Sequence, residues 1–459
     1  MGEVAVEELI LSVTLGEPEL VKPAAESIIN GELQAEKDFF LSNIDRILTY
    51  TVETVHFFDA GKSGRATSEV GEILKDGLAK LLSGPYSFMA GRLRQDPATG
   101  RLAICCNGKG ALFAQASAHH SLLDLGDVSH PNFQFKKLVL QAFDVSCLED
   151  LPLLLVQVTT FECGGFVIGL GTNHTLVDGM AAVDFMQNFA SVVTGKGLAI
   201  GPHPDRSALK ARSPLCITYP HNEFIRLQDL PPEVISSFAD PRPSSDLSGR
   251  MAPPTAHLFR TFPISKSHIA TLKQKALKDG ILSSCSSFDV ITALVWKARS
   301  IALSLDPSLP STLFFAVDIR SRVHPPLPDH FCGNGVFSAH ASTTSHELQE
   351  MPFSTCVKHV QDAVGAVTDD YVRSALDWGE INHGVPAILS GCFFVAAWWK
   401  LGFQDVDFGW GKPLYCGPVV NGRVEFVLLL PHTTKDSCCI YLALEPHQMK
   451  KFEQLIYEA

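Results

Sequence analysis

The chain has 459 residues, 46% of them hydrophobic and 19% charged, with a formal net charge of -12. That length exceeds one hydrophobic core and predicts two domains; the composition excludes a disordered chain, and the acidic balance argues against a nucleic-acid partner. Twelve scattered cysteines with no C-x-x-C spacing argue against a zinc site or a disulfide framework and fit reduced thiols.

In chain order, Met1-Gly2-Glu3-Val4-Ala5-Val6-Glu7-Glu8 is acidic and lacks the basic region of a signal peptide. Residues 9–21 begin with alternating apolar positions and predict a strand, with Pro23 beyond it. Residues 39–46 read as a loop or short turn ahead of a strong strand over 48–58. The spacing of Val70, Ile73, Leu74, Leu78, Leu81 and Leu82 predicts a helix over 70–82, although Gly77 interrupts it. Residues 92–95 and 102–106 form a hairpin-like pair joined through Pro97-Ala98-Thr99-Gly100.

Residues 153–160 and 165–170 read as neighbouring strands. The second runs into a polar turn, Asn173-His174-Thr175-Leu176-Val177-Asp178-Gly179. Val183, Met186, Phe189, Ala190 and Val193 then predict a helix over 180–193. A strand that delivers a histidine to its end and turns away is a common way to place a general base in a cleft. Gly179 supplies backbone freedom for the turn. A histidine and an aspartate four apart also arise by chance, so the turn alone does not define a site.

From 194 to about 245 the composition shifts to Gly, Pro and charged residues without periodicity, which predicts a long crossover containing the segment 204–214. A strand over 256–264 and helices over 265–278 and 288–303 follow. The second helix opens at Ser286-Ser287-Phe288-Asp289, which suits an N-cap. A strand over 313–318 leads to Ile319-Arg320-Ser321-Arg322, a proline-rich loop and Gly333-Asn334-Gly335. Helical sequence fills 353–372, strands 391–399 and 424–430, and a closing helix 446–457. The apolar stretch 385–399 is broken by Ser390 and Gly391 and is shorter than the ~20 residues that span a bilayer. No prenylation box or retention signal follows, so the expected location is cytoplasmic. The pattern is α/β (α+β), with mixed sheets flanked by helices. Expected boundaries are an N-terminal domain over 1–200, the crossover over 201–245 and a C-terminal domain over 246–459, with strands open to exchange between domains.

Asp405-Val406-Asp407-Phe408-Gly409-Trp410-Gly411-Lys412-Pro413 is a dense loop of glycine, aromatic and acidic residues. Together with His174-Thr175-Leu176-Val177-Asp178-Gly179 it supplies two motifs, H-x-x-x-D-G and D-F-G-W-G. On these the chain resembles the plant BAHD acyltransferases. Residues 287–299 and 315–322, and Pro325-Pro326-Leu327-Pro328 leading to Gly333-Asn334-Gly335, look like further blocks of that family.

The resemblance implies two similar coenzyme A-dependent acyltransferase domains with a channel between them, a monomer, no bound cofactor or metal, and acyl-CoA as co-substrate. It implies that His174 takes the proton from an acceptor hydroxyl as that oxygen attacks the thioester. Trp398 would donate its indole N–H to the oxyanion. Asp178, beside Gly179, would pair with Arg320 and fix the turn. Asp407, often called catalytic in the family, would with Gly409, Trp410 and Gly411 hold the domains in place. Family members commonly carry Thr-Ser before that tryptophan; here Ala396-Ala397 stands instead, so a hydroxyl is missing.

For coenzyme A, Lys266 belongs to a local basic cluster that reads equally as a solvated helix face. Ser286 and Ser287 at a helix start could donate to a phosphate. Cys163-Gly164-Gly165-Phe166, the 204–214 segment, Tyr219-Pro220-His221-Asn222-Glu223-Phe224 and Asp370-Tyr371-Val372-Arg373-Ser374-Ala375 resemble one branch. That branch moves feruloyl or caffeoyl groups onto ω-hydroxy fatty acids and fatty alcohols, for suberin, cutin and waxes. Shikimate- and quinate-acylating members usually carry a second histidine where this chain has Asn173. The apolar segment 389–399 suits a channel wall and a packed core strand equally. Other family donors and acceptors, a metal enzyme using His174 and Asp178 as ligands, and a non-catalytic binding module are the competing readings.

Overall fold

The computed structural model describes residues 10–24, 38–59, 66–130, 132–142, 147–226, 229, 257–386, 392–419, 424–432 and 437–458. Much of the expected crossover, and residues 389–391 of the apolar segment, lie outside them.

The first half comprises β1 (Val13–Leu15), β2 (Glu19–Val21), β3 (Asp38–Phe40), helix α1 (Asn43–Arg46), β4 (Thr51–Phe58), α2 (Val70–Leu81), β5 (Arg92–Gln95), β6 (Leu102–Cys105), β7 (Ala111–Ala118), β8 (Leu154–Phe161), β9 (Phe166–Asn173) and α3 (Gly179–Val193). After β10 (Phe224–Ile225) come β11 (Leu258–Ile264), α4 (Lys266–Leu277), α5 (Ser287–Leu303), β12 (Pro310–Asp318), β13 (Val336–Thr344), α6 (Ser345–Glu350), α7 (Phe353–Ala366), α8 (Asp369–Asn382), β14 (Val385–Pro386), β15 (Cys392–Ala397), β16 (Tyr415–Pro418), β17 (Phe426–Pro431), β18 (Cys438–Leu444) and α9 (Pro446–Glu458).

Two large mixed sheets organise these elements. One runs β1-β7-β8-β9-β4-β16, with β2 also on β7; the other runs β11-β18-β17-β15-β12-β13. β7 and β8 pair in parallel, as do β12 with β15 and β15 with β17, while the other pairs are antiparallel. β8 is buried along nearly all its length, because α2 and α3 cover one face of the first sheet and the segment 133–142 covers the other. A strand covered on both faces reads as a continuous apolar run, Leu154-Leu155-Val156.

The halves interlock. β16, far down the chain, pairs with β4 and closes the edge of the first sheet. Phe403, Phe408 and Trp410 enter the core of the first sheet, whereas Ile44 and Leu209 enter the core of the second.

Local corrections to the sequence reading have physical causes. The segment 39–46 is a strand end and a one-turn helix: Ser42 Oγ accepts from the Asp45 N–H while Asp45 caps the Ser42 N–H, a reciprocal capping box. The helical run 353–372 divides at Val367, because Thr368 Oγ1 accepts from the Tyr371 N–H and starts a new helix. No helix among the described residues is long and apolar enough to cross a membrane.

Candidate active site

β9 pairs along its full length with β4, so Thr51 lies opposite Asn173. The turn after β9 is tied down at once: the His174 N–H donates to the Tyr50 carbonyl at 2.9 Å. The buried Asn173 side chain accepts from the Thr175 N–H at 3.1 Å and hydroxyl at 2.7 Å, and donates to the Thr49 carbonyl at 3.0 Å. Asn173 thus ties the turn through its oxygen and reaches the segment before β4 through its nitrogen.

The half-buried His174 ring packs edge-on to Tyr50, centroids 5.3 Å apart. Its Nδ1 lies 3.0 Å from Asn334 Oδ1. The Asn334 Nδ2 group donates to Asp45 Oδ1 at 2.8 Å and to the His174 carbonyl at 2.8 Å. With both amide hydrogens directed at acceptors, the oxygen must face the imidazole. The network therefore assigns the proton to Nδ1 and leaves the lone pair on Nε2. Burial lowers the His174 pKa, and the Asn334 hydrogen bond and the Asp178 and Asp45 carboxylates only partly oppose it. The ring is neutral at pH 7, the state a general base requires.

Asp178 faces the other way. It caps α3 by accepting from the Ala181 N–H at 3.0 Å and accepts from the Gly335 N–H at 2.9 Å. Arg320 reaches both its oxygens at 2.9 Å, so the pair is bidentate and nearly buried. Burial pulls the Arg320 pKa down, but the Asp178 charge and hydrogen bonds outweigh it and hold the guanidinium above its ordinary value. Gly179 is not among the glycines at positive φ, so the turn does not use its backbone freedom; a Cβ there would meet the end of the Leu401 side chain at 2.7 Å, which would have to shift.

Gly333-Asn334-Gly335 acquires a physical explanation. A Cβ on Gly333 would lie 2.8 Å from Arg206 Nε, and one on Gly335 2.7 Å from Arg320 Nη1. Two glycines thus admit two arginines on either side of the asparagine that holds His174. Asn334, Asp45 and Arg206 are the residues that sequence reasoning missed. The glycine flanks and the Ser42-x-x-Asp45 box were their only local signals.

The Asp407 loop is built differently. Asp407 is exposed, and its Oδ1 accepts from the N–H groups of Gly409 at 2.7 Å and Gly411 at 2.9 Å. Both glycines sit at positive φ, 91° and 95°, where other residues are strained. Between them Trp410 is buried edge-on to Phe166, and Phe408 stands edge-on to Phe58 and Phe189.

Trp398 follows β15, its N–H held by the Leu429 carbonyl at 2.8 Å, its ring tilted on Phe403 at 6.1 Å. No hydrogen bond or ring contact joins it to His174 among the described residues. Ser286 caps α5 in a box with Asp289, so a carboxylate already occupies that helix start, and Ser287 is the first helical residue. Lys266 begins α4 behind the Ser265 cap. Among the described residues no three His, Cys, Asp or Glu gather in a set able to hold a metal ion.

Comparison with known proteins gives these two interlocked mixed sheets and their histidine turn a class, the acyl-CoA-dependent acyltransferases. The sequence profile of the Transferase family matches residues 11–459, and the chain belongs to that family, the BAHD acyltransferases. It is 38% identical to the acyltransferase GLAUCE of Arabidopsis thaliana over 96% of this chain and 95% of that protein. It is 33% identical to the omega-hydroxypalmitate O-feruloyl transferase of the same plant, over 97% and 92%. The crystal structure of vinorine synthase shares the fold, with a TM-score of 0.72 at 20% identity over 96% of each chain.

Proposed function

We propose that this acyltransferase moves a hydroxycinnamoyl group, feruloyl or caffeoyl, from coenzyme A to a long-chain aliphatic alcohol or ω-hydroxy fatty acid. His174 Nε2 removes the acceptor's hydroxyl proton, and the oxygen attacks the thioester carbonyl. The tetrahedral intermediate then collapses: the C–S bond breaks, and the imidazolium returns its proton to the departing coenzyme A sulfur. Asn334 keeps the Nδ1 proton in place throughout. A positioned base of this kind contributes ~10²–10⁴-fold.

In this reading Trp398 donates to the oxyanion without the neighbouring hydroxyl that Ala396 replaces. Asp178 and Arg320 fix the turn, and Asp407 with Gly409, Trp410 and Gly411 anchors one half to the other. Lys266 is the surviving candidate for a coenzyme A phosphate contact. The Asp289 carboxylate already stands at the helix start, which argues against a phosphate beside Ser286 and Ser287.

The acceptor rests chiefly on Asn173. It stands where shikimate-type relatives carry a second histidine, and it is buried, its oxygen bonded to Thr175 in the turn and its nitrogen to the Thr49 carbonyl. A buried side chain already bonded to the protein is a poor partner for a polyhydroxylated acid, which needs fixed partners on leaving water. An alkyl chain needs only an apolar wall, gaining ~0.8 kcal/mol per buried methylene. The likeness to a feruloyl transferase acting on ω-hydroxypalmitate supports the same choice.

The test offers hexadecanol, 16-hydroxyhexadecanoic acid and shikimate together, at equal concentration, with feruloyl- or caffeoyl-CoA. The aliphatic ester should predominate. Predominance of the shikimate ester would overturn the acceptor.

A further inference from the structure

We propose that Arg206 is a positioning residue of the transfer reaction, holding from behind the turn that presents His174. The inference rests on His174 as the base, but not on any particular acceptor. Arg206 lies in the expected crossover, far in sequence from everything it binds, and is 1% exposed. Its Nη1 donates to the Thr175 carbonyl at 2.7 Å and lies 3.0 Å from Asp45 Oδ2. Its Nη2 donates to the carbonyls of Leu176 and, at 3.5 Å, Cys332. The guanidinium carbon lies 5.0 Å from the Phe39 ring centre and 5.7 Å from that of Phe88.

One planar cation thus reaches His174 by two routes. Directly, it holds the carbonyls of the two residues that follow the histidine. Indirectly, it pairs with Asp45, whose other oxygen binds the Asn334 amide that accepts from His174 Nδ1. Asp45 Oδ2 also accepts from the Ser42 N–H at 2.8 Å and hydroxyl at 2.7 Å, so that carboxylate has little freedom. Two ion pairs thus stand near the imidazole, Asp45 with Arg206 and Asp178 with Arg320.

Arginine suits this place for a geometric reason. Its rigid fork serves several acceptors in one plane, whereas a lysine ammonium is a point charge on a flexible stem. Reaction geometry is sensitive at this scale: a 1 Å misplacement costs ~10²-fold in rate. Mere stability needs the buried charge paired; positioning needs the fork.

The test is Arg206→Lys, which keeps the charge and loses the fork. Thiol release from feruloyl-CoA, with whichever acceptor the wild type uses best, should show kcat reduced ~10–100-fold per folded molecule. KM for both substrates should stay within about threefold of wild type. A kcat within about twofold of wild type per folded molecule would overturn the proposal. So would a loss that appears only in KM. An inactive wild type would instead count against the functional reading. In that case ¹⁵N-histidine spectra decide, His174 being assigned by its absence from His174→Ala: a pure Nδ1–H tautomer should become mixed in Arg206→Lys, and no change refutes the positioning role. If Arg206→Lys does not fold, Phe39→Leu removes one stacking face at a half-buried residue. A several-fold lower kcat at unchanged KM supports the proposal, and an unchanged kcat overturns it.

Discussion

The turn at 174–178 and the loop at 405–411 both join the first sheet to residues of the other half, yet they do so with opposite materials. The turn is polar: Asp178 meets Arg320, and His174 meets Asn334 and, through it, Asp45. The loop is apolar, with Phe408 and Trp410 seated among Phe58, Phe166 and Phe189 while its carboxylate only ties its own backbone. A polar joint fixes direction, because each hydrogen bond has an angle. An apolar joint supplies adhesion that is largely non-directional. The proposed base, His174, sits on the joint that fixes direction.

Removing the charge from the polar joint should have the largest effect. Asp178→Ala leaves Arg320 largely buried with, among the described residues, Asp318 at 3.3 Å as its one remaining ion-pair partner, and should cost about 3–5 kcal/mol of stability. Transfer activity should fall even in molecules that remain folded, because the turn loses its anchor; urea titration beside a per-folded-molecule assay checks both. Trp410→Ala should cost a similar ~3–5 kcal/mol through the cavity it leaves. Activity per folded molecule should fall far less, and equal kinetic damage from the two substitutions would erase the distinction.

A third probe lies in the first sheet, beside Phe403 just ahead of the loop. His56, on β4, is 1% exposed, edge-on to Phe403, and burial pushes its pKa down to about 4. The unfolded chain, titrating near ~6.5, binds more protons across that interval. Stability should therefore be full above the unfolded value and fall as pH drops toward 4, by at most about 3 kcal/mol. His56→Phe should flatten that part of the stability–pH curve, and an unchanged slope would assign the dependence elsewhere.

Legibility in the sequence followed periodicity. α2, α3, β8 and β9 were readable because their apolar positions repeat at helical or strand spacing and one face meets a core. β7 was missed: its Ala-Leu-Phe-Ala-Gln-Ala-Ser-Ala sequence has little β propensity, and it is a strand because β8 and the short β1 and β2 pair with it. The break inside 353–372 escaped because apolar spacing continues across it. At the site, His174, Asp178 and Arg320 could be named from motifs that resemble those of a family. Asn334 lies 160 residues from His174 and 289 from Asp45, and no local pattern records that such residues will meet. Only the two glycines that admit the arginines and the Ser42-x-x-Asp45 capping box left a mark.

In the proposed mechanism the reaction belongs to the histidine of one motif and not to the aspartate of the other. The most direct measurement is the single-turnover rate of acyl transfer for His174→Ala and Asp407→Ala, taken where both variants are folded. Asp407→Ala loses an acceptor for two N–H groups in an exposed loop, worth about 1–2 kcal/mol of stability, and should retain most of its rate when folded. His174→Ala should melt close to wild type and be slower by ~10²-fold or more. An Asp407→Ala protein that melts like wild type and is as slow as His174→Ala would contradict the account.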